Sequence, residues 1–374
     1  MKIKILKENL KLALSACERI TKKATSLPIL NNILLKVKGN FLEITSTNLN
    51  TTLQWWILTK VEKEGVTTIP ANFFLNFINL ISDNKLEIES KNNNIFIISE
   101  NQKNQIQGQN PDEFPIIPKI EKDISYELPT SFLKEGLEQV IEIPSPSQIR
   151  PEISGIYFSF KKGNLSIAST DSFRLGEKKI KIKEFEKDID FIIPQEGARE
   201  ILNILSQVEE ENFKCYPTSN QILFEFLSKE TSRPQINIIS RLIEGEYPNY
   251  QDIIPKKTIT KIQVKKEEFK NQIKKAGLFS GKIMEVKLTS LPKEKKLKIF
   301  SQSPEIGENE AKMPSIIEGE EVEVSFNYKF LIDGLNNLKS SEIILELSAD
   351  DGPGILKPVG DDSYLYILMP VKSS

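Results

Sequence analysis

The sequence predicts an α+β protein made of three similar domains, each with antiparallel sheets and two helices. The first observation is a phrase that occurs three times, as LEITSTN from Leu42, LSIASTD from Leu165 and LKIFSQS from Leu297. Its spacing is about the size of a whole domain, on the order of 100–150 residues, and far exceeds a solenoid repeat. The second observation is that helix and strand patterns recur around each copy. A chain of 374 residues is long enough for three such domains.

Each repeat begins with a strand that runs into an amphipathic helix. An apolar residue ends an alternating stretch, and two more apolar residues follow with a lysine next to the first of them. These last two apolar residues are four positions apart, which is the spacing of one helix face. The three sets are Ile5, Leu10, Lys11 and Leu14; Leu128, Leu133, Lys134 and Leu137; and Val264, Phe269, Lys270 and Ile273.

A second helix is predicted later in each repeat. Pro70 and Pro194 mark its start in the first two repeats, where a missing amide proton costs nothing. The apolar residues that mark these helices are Phe77 and Leu80, Ile201 and Ile204, and Ile332 and Leu335.

Alternating apolar and polar residues between the helices predict short antiparallel strands, for example at residues 85–89 and 221–226. Residues 161–164, with sequence KKGN, predict a hairpin turn between two of them. Polar, proline-containing stretches separate the repeats. They place the domains at residues 1–122, 123–255 and 256–374.

The composition excludes several kinds of catalytic site. The chain has no histidine, which rules out histidine acid/base catalysis, a Ser-His-Asp triad and histidine metal sites. Its two cysteines, Cys17 and Cys215, have no metal-binding spacing, and Cys17 shares a helix face with Leu10, which predicts a buried thiol. Aspartate pairs at 350–351 and 361–362 are better explained as surface turns than as a cation site. We expect a protein that is not an enzyme and has neither metal nor cofactor.

No apolar run approaches the roughly 20 residues of a membrane span, and the first residues do not resemble a signal peptide, so we expect a cytoplasmic protein. The net charge of −2 gives no global sign of nucleic-acid binding. Cations nevertheless gather around the predicted helices, where equivalent helices would bring them to one surface. Solvated helix faces are the simpler alternative. The cations are Lys11, Lys22, Lys23, Lys134, Arg150, Arg199, Lys270, Lys274 and Lys275.

Trp55 and Trp56 are adjacent in a threonine-rich strand. Neighbouring strand residues face opposite sides, which predicts one ring in the core and one exposed. Packing on an edge strand is favoured over stacking of the exposed ring on a nucleic-acid base.

Several longer segments resemble one family. They are LPILNNILL from Leu27, TDSFRL from Thr170, SRLIEGEYPNY from Ser240, the stretch from Phe326 to Leu338, and YILMPV from Tyr366. Together they resemble the bacterial DNA polymerase III beta subunit, the sliding clamp, along the whole chain.

The resemblance implies a fold and a function. In that family two protomers join head to tail into a ring of six similar domains, and duplex DNA passes through a hole lined by twelve helices. The cations named above would then attract phosphates without reading bases, so that the ring slides. The ring tethers the replicative polymerase for processive synthesis, and it also binds the clamp loader and other proteins that carry clamp-binding peptides.

The resemblance also implies two protein-binding sites. A pocket for partner peptides between the second and third domains corresponds to Ile153, Thr170, Ser172, Phe173, Arg174, Leu175, Pro248, Ile253, Leu368, Met369, Pro370 and Val371. A ring contact would join Asn104 and Ile106 of one protomer to Leu278 and Phe279 of the other. The chain departs from the family where Ser172 and Phe173 replace a common Gly-His pair, and where Lys372 replaces a frequent arginine.

Two alternatives stay open at this point. One is a clamp-like accessory protein that does not recruit a polymerase. The other is an enzyme that acts on DNA through a metal held by carboxylates, which would need acidic residues converging from different repeats. The scattered acidic turns of this sequence do not favour it.

Overall fold

The structure is a computed structural model that describes residues 1–22, 27–100, 102–147, 149–207, 211–228, 234–350 and 352–371. Contacts divide the chain into two compact units, and each unit is assembled from two stretches of chain. Unit 1 consists of Met1–Lys134 and Glu196–Leu242, and unit 2 of Glu135–Gln195 and Ile243–Ser374. The strands pair in an antiparallel manner, as predicted.

The described residues contain six α-helices, two for each repeat. They are α1 (Lys7–Thr21), α2 (Ala71–Leu80), α3 (Thr130–Val140), α4 (Gln195–Leu205), α5 (Lys266–Gly277) and α6 (Tyr328–Asn337). Helices α1, α3 and α5 each follow a strand directly, and the nine apolar residues that mark these strand–helix junctions are at most 5% exposed. The predicted opening of each repeat is therefore confirmed.

Unit 1 contains two sheets. The five-stranded sheet has the order β5 (Lys60–Lys63), β1 (Lys2–Leu6), β7 (Lys85–Lys91), β8 (Asn94–Ile98) and β9 (Lys103–Ile106). The eight-stranded sheet has the order β10 (Tyr126–Pro129), β15 (Asn212–Pro217), β16 (Gln221–Leu227), β17 (Pro234–Arg241), β4 (Thr51–Leu58), β3 (Phe41–Thr47), β2 (Asn32–Lys38) and β6 (Gly65–Pro70).

Unit 2 also contains two sheets. The nine-stranded sheet has the order β14 (Ile189–Pro194), β11 (Gly155–Lys161), β12 (Asn164–Thr170), β13 (Arg174–Lys181), β26 (Tyr364–Leu368), β25 (Gly354–Pro358), β24 (Glu342–Leu347), β18 (Thr260–Lys265) and β22 (Ile316–Gly319). The four-stranded sheet has the order β21 (Gly307–Pro314), β20 (Lys296–Ser303), β19 (Glu285–Leu291) and β23 (Glu323–Asn327).

The long sheet of each unit runs from one repeat into the next. In unit 1, β4 of the first repeat pairs with β17 of the second, with Leu53 opposite Ile238. In unit 2, β13 of the second repeat pairs with β26 of the third, with Arg174 opposite Leu368. Because backbone hydrogen bonds continue across both junctions, the contacts divide the chain within the second repeat and not between repeats.

The interpretation of the tryptophan pair is wrong in one respect. Strand β4 lies inside the eight-stranded sheet, between β3 and β17, so it is not an edge strand. Trp55 is buried, as predicted for one of the two rings, whereas Trp56 is half-buried. Pairing of β4 with a strand from a distant part of the sequence is not visible in local patterns.

Both cysteine side chains are buried free thiols, which confirms the prediction for Cys17. Removal from water raises the pKa of the Cys17 thiol to about 12. Neither cysteine therefore has the accessible thiolate that a reactive site needs.

Candidate nucleic-acid interface and peptide pocket

Four cations lie in or next to helix α1. Two of them are exposed lysines, and the other two bond to partners within unit 1. Lys11 is exposed, and Lys22 is exposed but pairs with Glu18 at 2.9 Å. In contrast, Lys7 donates to the carbonyl oxygen of Ile81, and the Arg19 Nε pairs with Glu200 at 3.1 Å. The sequence pattern did not distinguish these two groups, because all four residues lie in or next to one helix. Lys23, also a predicted contact, lies outside the described residues.

The second repeat contributes fewer free cations. Lys134 and Arg199 are half-buried, and Arg199 already takes part in an interaction. Arg150 is exposed and pairs with Glu152 at 3.1 Å. If Arg150 or Arg199 contacted a phosphate, that contact would therefore compete with the interaction that the side chain already makes.

Helix α5 in unit 2 has the clearest group of available cations. Lys274 and Lys275 are exposed in its last turn, and Lys270 is half-buried one turn earlier. None of the three forms an ion pair with another residue in the described ranges of the chain. Cations at a helix C-terminus are favoured by the helix dipole, so they are stable there without a carboxylate. This arrangement leaves them free to contact phosphates.

The segment TDSFRL forms a tight turn between β12 and β13. The Asp171 carboxylate accepts hydrogen bonds from the backbone amides of Phe173 and Arg174, both at 3.0 Å. The Thr170 hydroxyl donates to the Arg174 carbonyl oxygen at 2.8 Å. Ser172 has a φ of 76°, in the left-handed region that favours glycine. These bonds hold Phe173 at the tip of the turn, 62% exposed.

Arg174 is buried beneath this turn and holds it through several contacts. Its guanidinium pairs with Asp171 at 2.9 Å and with Asp333 on α6, and it donates to the Glu142 carbonyl oxygen. Its guanidinium carbon also lies 4.5 Å from the centre of the Phe330 ring. Because these partners engage its guanidinium, Arg174 holds the turn from the inside and is only 9% exposed.

The C-terminal segment runs beside the same turn. The Met369 amide donates to the Phe173 carbonyl oxygen at 2.8 Å, one residue beyond the pairing of Arg174 with Leu368. Two residues later, the Val371 amide donates to the backbone carbonyl oxygen of Ser325 at 2.8 Å. Residues from β13 and the end of β26 are therefore adjacent.

A cluster of apolar and aromatic side chains lies beneath this region. Leu175 and Tyr250 belong to it, and the Tyr250 hydroxyl donates to Glu177 at 2.5 Å. Tyr247 stacks on Tyr157 with a ring separation of 4.7 Å. A cavity of about 310 Å³ beside Pro248 is lined by these three tyrosines together with serine, lysine and amide side chains, so it is polar.

The predicted pocket residues fall into two groups. Ile153, Thr170, Arg174, Leu175 and Leu368 are buried, whereas Ser172, Phe173, Pro248, Ile253, Met369, Pro370 and Val371 are exposed or half-buried. The second group forms the exposed surface of this region, and the first group is packed in the interior. Phe330 and Asp333 were missed by the sequence reasoning, although Phe330 stacks against Phe173 at 6.5 Å. Their place in the second helix of the third repeat gives no signal of this contact.

The predicted ring-contact residues lie at a sheet edge in unit 1 and after a helix in unit 2. Asn104 and Ile106 are on β9, which among the described strands pairs only with β8 and so is an edge strand. Ile106 is nevertheless 6% exposed and packs inside its own unit. Leu278, directly after α5, is 72% exposed, and Phe279 is half-buried. In unit 2, β21 is likewise an edge strand and contacts α5.

Within the described ranges, no three acidic or cysteine side chains are grouped so that they could hold a metal ion. The same ranges contain no helix that is long and apolar enough to span a membrane.

Three family models match consecutive parts of the chain. The N-terminal, central and C-terminal domains of the DNA polymerase III beta subunit match residues 1–118, 127–249 and 251–372. The chain is similar to the beta sliding clamp of Bacillus subtilis, at 28% identity over the full length of both proteins. It is similar to the beta sliding clamp of Staphylococcus aureus, at 27% identity over 93% of both. A crystal structure of the DNA polymerase sliding clamp from Bacillus subtilis superimposes with a TM-score of 0.92, at 26% identity and complete coverage of both chains. The chain therefore belongs to the DNA polymerase III beta subunit family.

Proposed function

We propose that this protein is a sliding clamp that encircles duplex DNA and tethers the replicative polymerase during processive synthesis. The observation that carries this proposal is the match of all three domains, in order, to one clamp family. The domain bounds 1–122, 123–255 and 256–374 belong to the same proposal. The protein acts by position and electrostatics, and it catalyses no step.

The charge distribution supports a sequence-independent DNA contact. The available cations are lysines, which attract phosphates as point charges, and they occur on the first helix of the first and third repeats. Contacts to phosphates position a protein on DNA without selecting a sequence. A ring that must slide needs this kind of contact.

The two edge strands support closure of the ring by a head-to-tail contact. Strand β9 in unit 1 and strand β21 in unit 2 each leave a row of backbone groups unpaired on one side. Pairing β9 of one protomer with β21 of the next would give hydrogen-bond partners to the backbone groups of both strands. It would also bury the exposed side chain of Leu278. Such a contact joins different surfaces, so it closes when the rotation between protomers allows it.

A test of this ring contact is sedimentation of the protein at micromolar concentration. The unaltered chain should sediment as a dimer, and the double variant Leu278→Asp, Phe279→Asp as a monomer, because charge would be buried in an apolar contact. Ile116→Asp, at a side chain that is 93% exposed, is the matched control and should remain dimeric. A monomer for the unaltered chain would contradict the proposal.

The exposed part of the pocket supports binding of a short peptide with leucine and phenylalanine side chains. Each anchor that is buried contributes roughly 1.5–3 kcal/mol before ordering costs, so micromolar affinity is expected.

Truncation before Met369 tests this site. It removes the amide that bonds Phe173 but keeps Leu368 in β26, so binding of polymerase and loader peptides should be lost while the dimer and DNA binding persist. Ile316→Ala removes an exposed apolar side chain elsewhere in the same unit and should leave peptide affinity unchanged. If a labelled peptide binds the truncated protein as well as the whole chain, the site lies elsewhere.

A further inference from the structure

Unit 1 contains a cavity of about 640 Å³ at one end of its five-stranded sheet. Strands β1, β5, β7 and β8 contribute to its wall, together with the end of β4 and the first turn of α1. Pockets for small molecules measure roughly 300–1,000 Å³, so this cavity has a suitable size. Its lining contains none of the residues proposed to contact DNA, a partner peptide or a second protomer. We call it the β1 cavity.

The β1 cavity has an apolar surface that is left open to water. Leu6 is 51% exposed and Leu58 is 61% exposed, and both line the cavity. Ile98, the last residue of β8, lines it as well and is half-buried. An apolar molecule that covers these side chains would remove their surface from water, which favours binding.

Two lysines of the lining have no internal carboxylate. Lys60 and Lys85 are exposed, and neither forms an ion pair with another residue in the described ranges. The third lysine, Lys4, shares the Glu87 carboxylate with Lys2, at N–O distances of 3.6 and 3.0 Å. The charge of Glu87 is therefore already balanced, and the ammonium groups of Lys60 and Lys85 are available to an anion.

Other groups of the lining also favour an anion. The Ser99 hydroxyl oxygen is buried and has no hydrogen-bond partner among the described residues. Leu6 is the N-cap residue of α1, and no side chain caps this helix start. A helix N-terminus carries partial positive charge, and Asn9 brings the first turn of α1 to the cavity. Glu100, which is exposed, is the one acidic lining residue besides Glu87.

We propose that the β1 cavity binds a small molecule that combines an apolar body with one anionic group. Leu6 and Leu58 contact the apolar body, and Lys60 and Lys85 attract the anionic group. An uncharged molecule of the same shape gains the apolar contact alone. This site goes beyond the proposed clamp function, because it requires neither ring closure nor DNA.

The test compares two fluorescent probes on the full-length chain. Anilinonaphthalene sulfonate has an apolar body and one negative charge, and phenylnaphthylamine has the same ring system without the sulfonate. The double variant Lys60→Gln, Lys85→Gln should bind the sulfonate at least about fivefold more weakly and the uncharged probe equally well. Added salt should weaken binding of the sulfonate alone. Leu6→Ala with Leu58→Ala should weaken binding of both probes.

Matched controls remove the same kinds of side chain outside the cavity. Lys36→Gln with Lys38→Gln, at two exposed lysines of β2, should leave the affinity for both probes unchanged. Leu27→Ala with Ile116→Ala, at two exposed apolar residues of unit 1, should do the same.

Three results would overturn the proposal. The first is that the unaltered chain binds neither probe. The second is that the cavity variants bind the sulfonate as well as their controls do, which would make its binding adventitious. The third is that sedimentation shows loss of self-association in the cavity variants, which would make the cavity a contact between copies.

Discussion

Ser172 and Phe173 show how one turn combines backbone strain with an exposed ring. The turn needs a left-handed residue at position 172, where φ is 76°. Glycine adopts this conformation freely, whereas other residues with L chirality pay roughly 1–2 kcal/mol. The turn is still held by the Asp171 and Thr170 hydrogen bonds, and Phe173 at its tip is 62% exposed.

Replacing Ser172 with glycine should therefore stabilise the protein. Relief of the strain outweighs the extra entropy of glycine in the unfolded chain, which is roughly 0.5–1 kcal/mol, and leaves a gain of about 0.5–1 kcal/mol. The midpoint of urea unfolding measures it. Ser131→Gly, in helix α3, is the control and should destabilise the chain. A lower midpoint for Ser172→Gly would show that the strain is not relieved.

Arg174 illustrates why a residue's likeness to a family position does not define its role here. The resemblance assigns it to the peptide pocket, and in the structure its side chain is buried, with two aspartates and an aromatic ring as partners. Its long-range partner Asp333 is 159 positions away. No local pattern reveals such a pair.

At the scale of secondary-structure elements, the lysines of α5 are the simplest part of the DNA-binding proposal to test. Changing Lys270, Lys274 and Lys275 to glutamine should weaken binding to duplex DNA of any sequence. The logarithmic dependence of affinity on salt should flatten by roughly 0.9 for each phosphate contact that is lost. Titration of duplex DNA at several salt concentrations measures this slope.

A matched control removes the same charge from another surface of unit 2. Lys293, Lys295 and Lys296 are exposed at the connection between β19 and β20, and changing them to glutamine should leave the slope unchanged. Equal effects of the two triple variants would mean that only net charge matters. A strong preference for one duplex sequence would also contradict the proposal.

Helices and local strand pairs were predictable from sequence because their signals are short-range. The apolar pairs Leu10/Leu14 and Phe269/Ile273 mark buried helix faces, and the KKGN segment forms the turn between β11 and β12. The exposure of Phe73 and Leu80 on α2 and the interior position of strand β4 in its sheet were not predictable. An apolar residue at helical spacing looks the same whether it faces the core or water, and the pairing of β4 with β17 joins residues far apart in sequence.

At the scale of the whole molecule, the repeated domain explains both the continuous sheets and the free edges. Equivalent strands pair wherever one repeat follows another, as β4 does with β17 and β13 with β26. Strand β9 of the first repeat and strand β21 of the third are edge strands, each paired on one side alone in the described part of the chain. A second copy would supply the missing neighbour of each, which is the physical basis of the proposed ring.

In the proposed function, topology, and not affinity alone, keeps this protein on DNA. The most direct measurement loads the labelled protein onto nicked circular duplex DNA in the presence of a clamp loader, separates the complex from free protein at high salt, and then linearises half of the sample. We predict that the protein stays on the circle in salt that abolishes phosphate contacts and leaves once the DNA has ends. Equal retention on circular and linear DNA, or loss from both at high salt, would contradict the account.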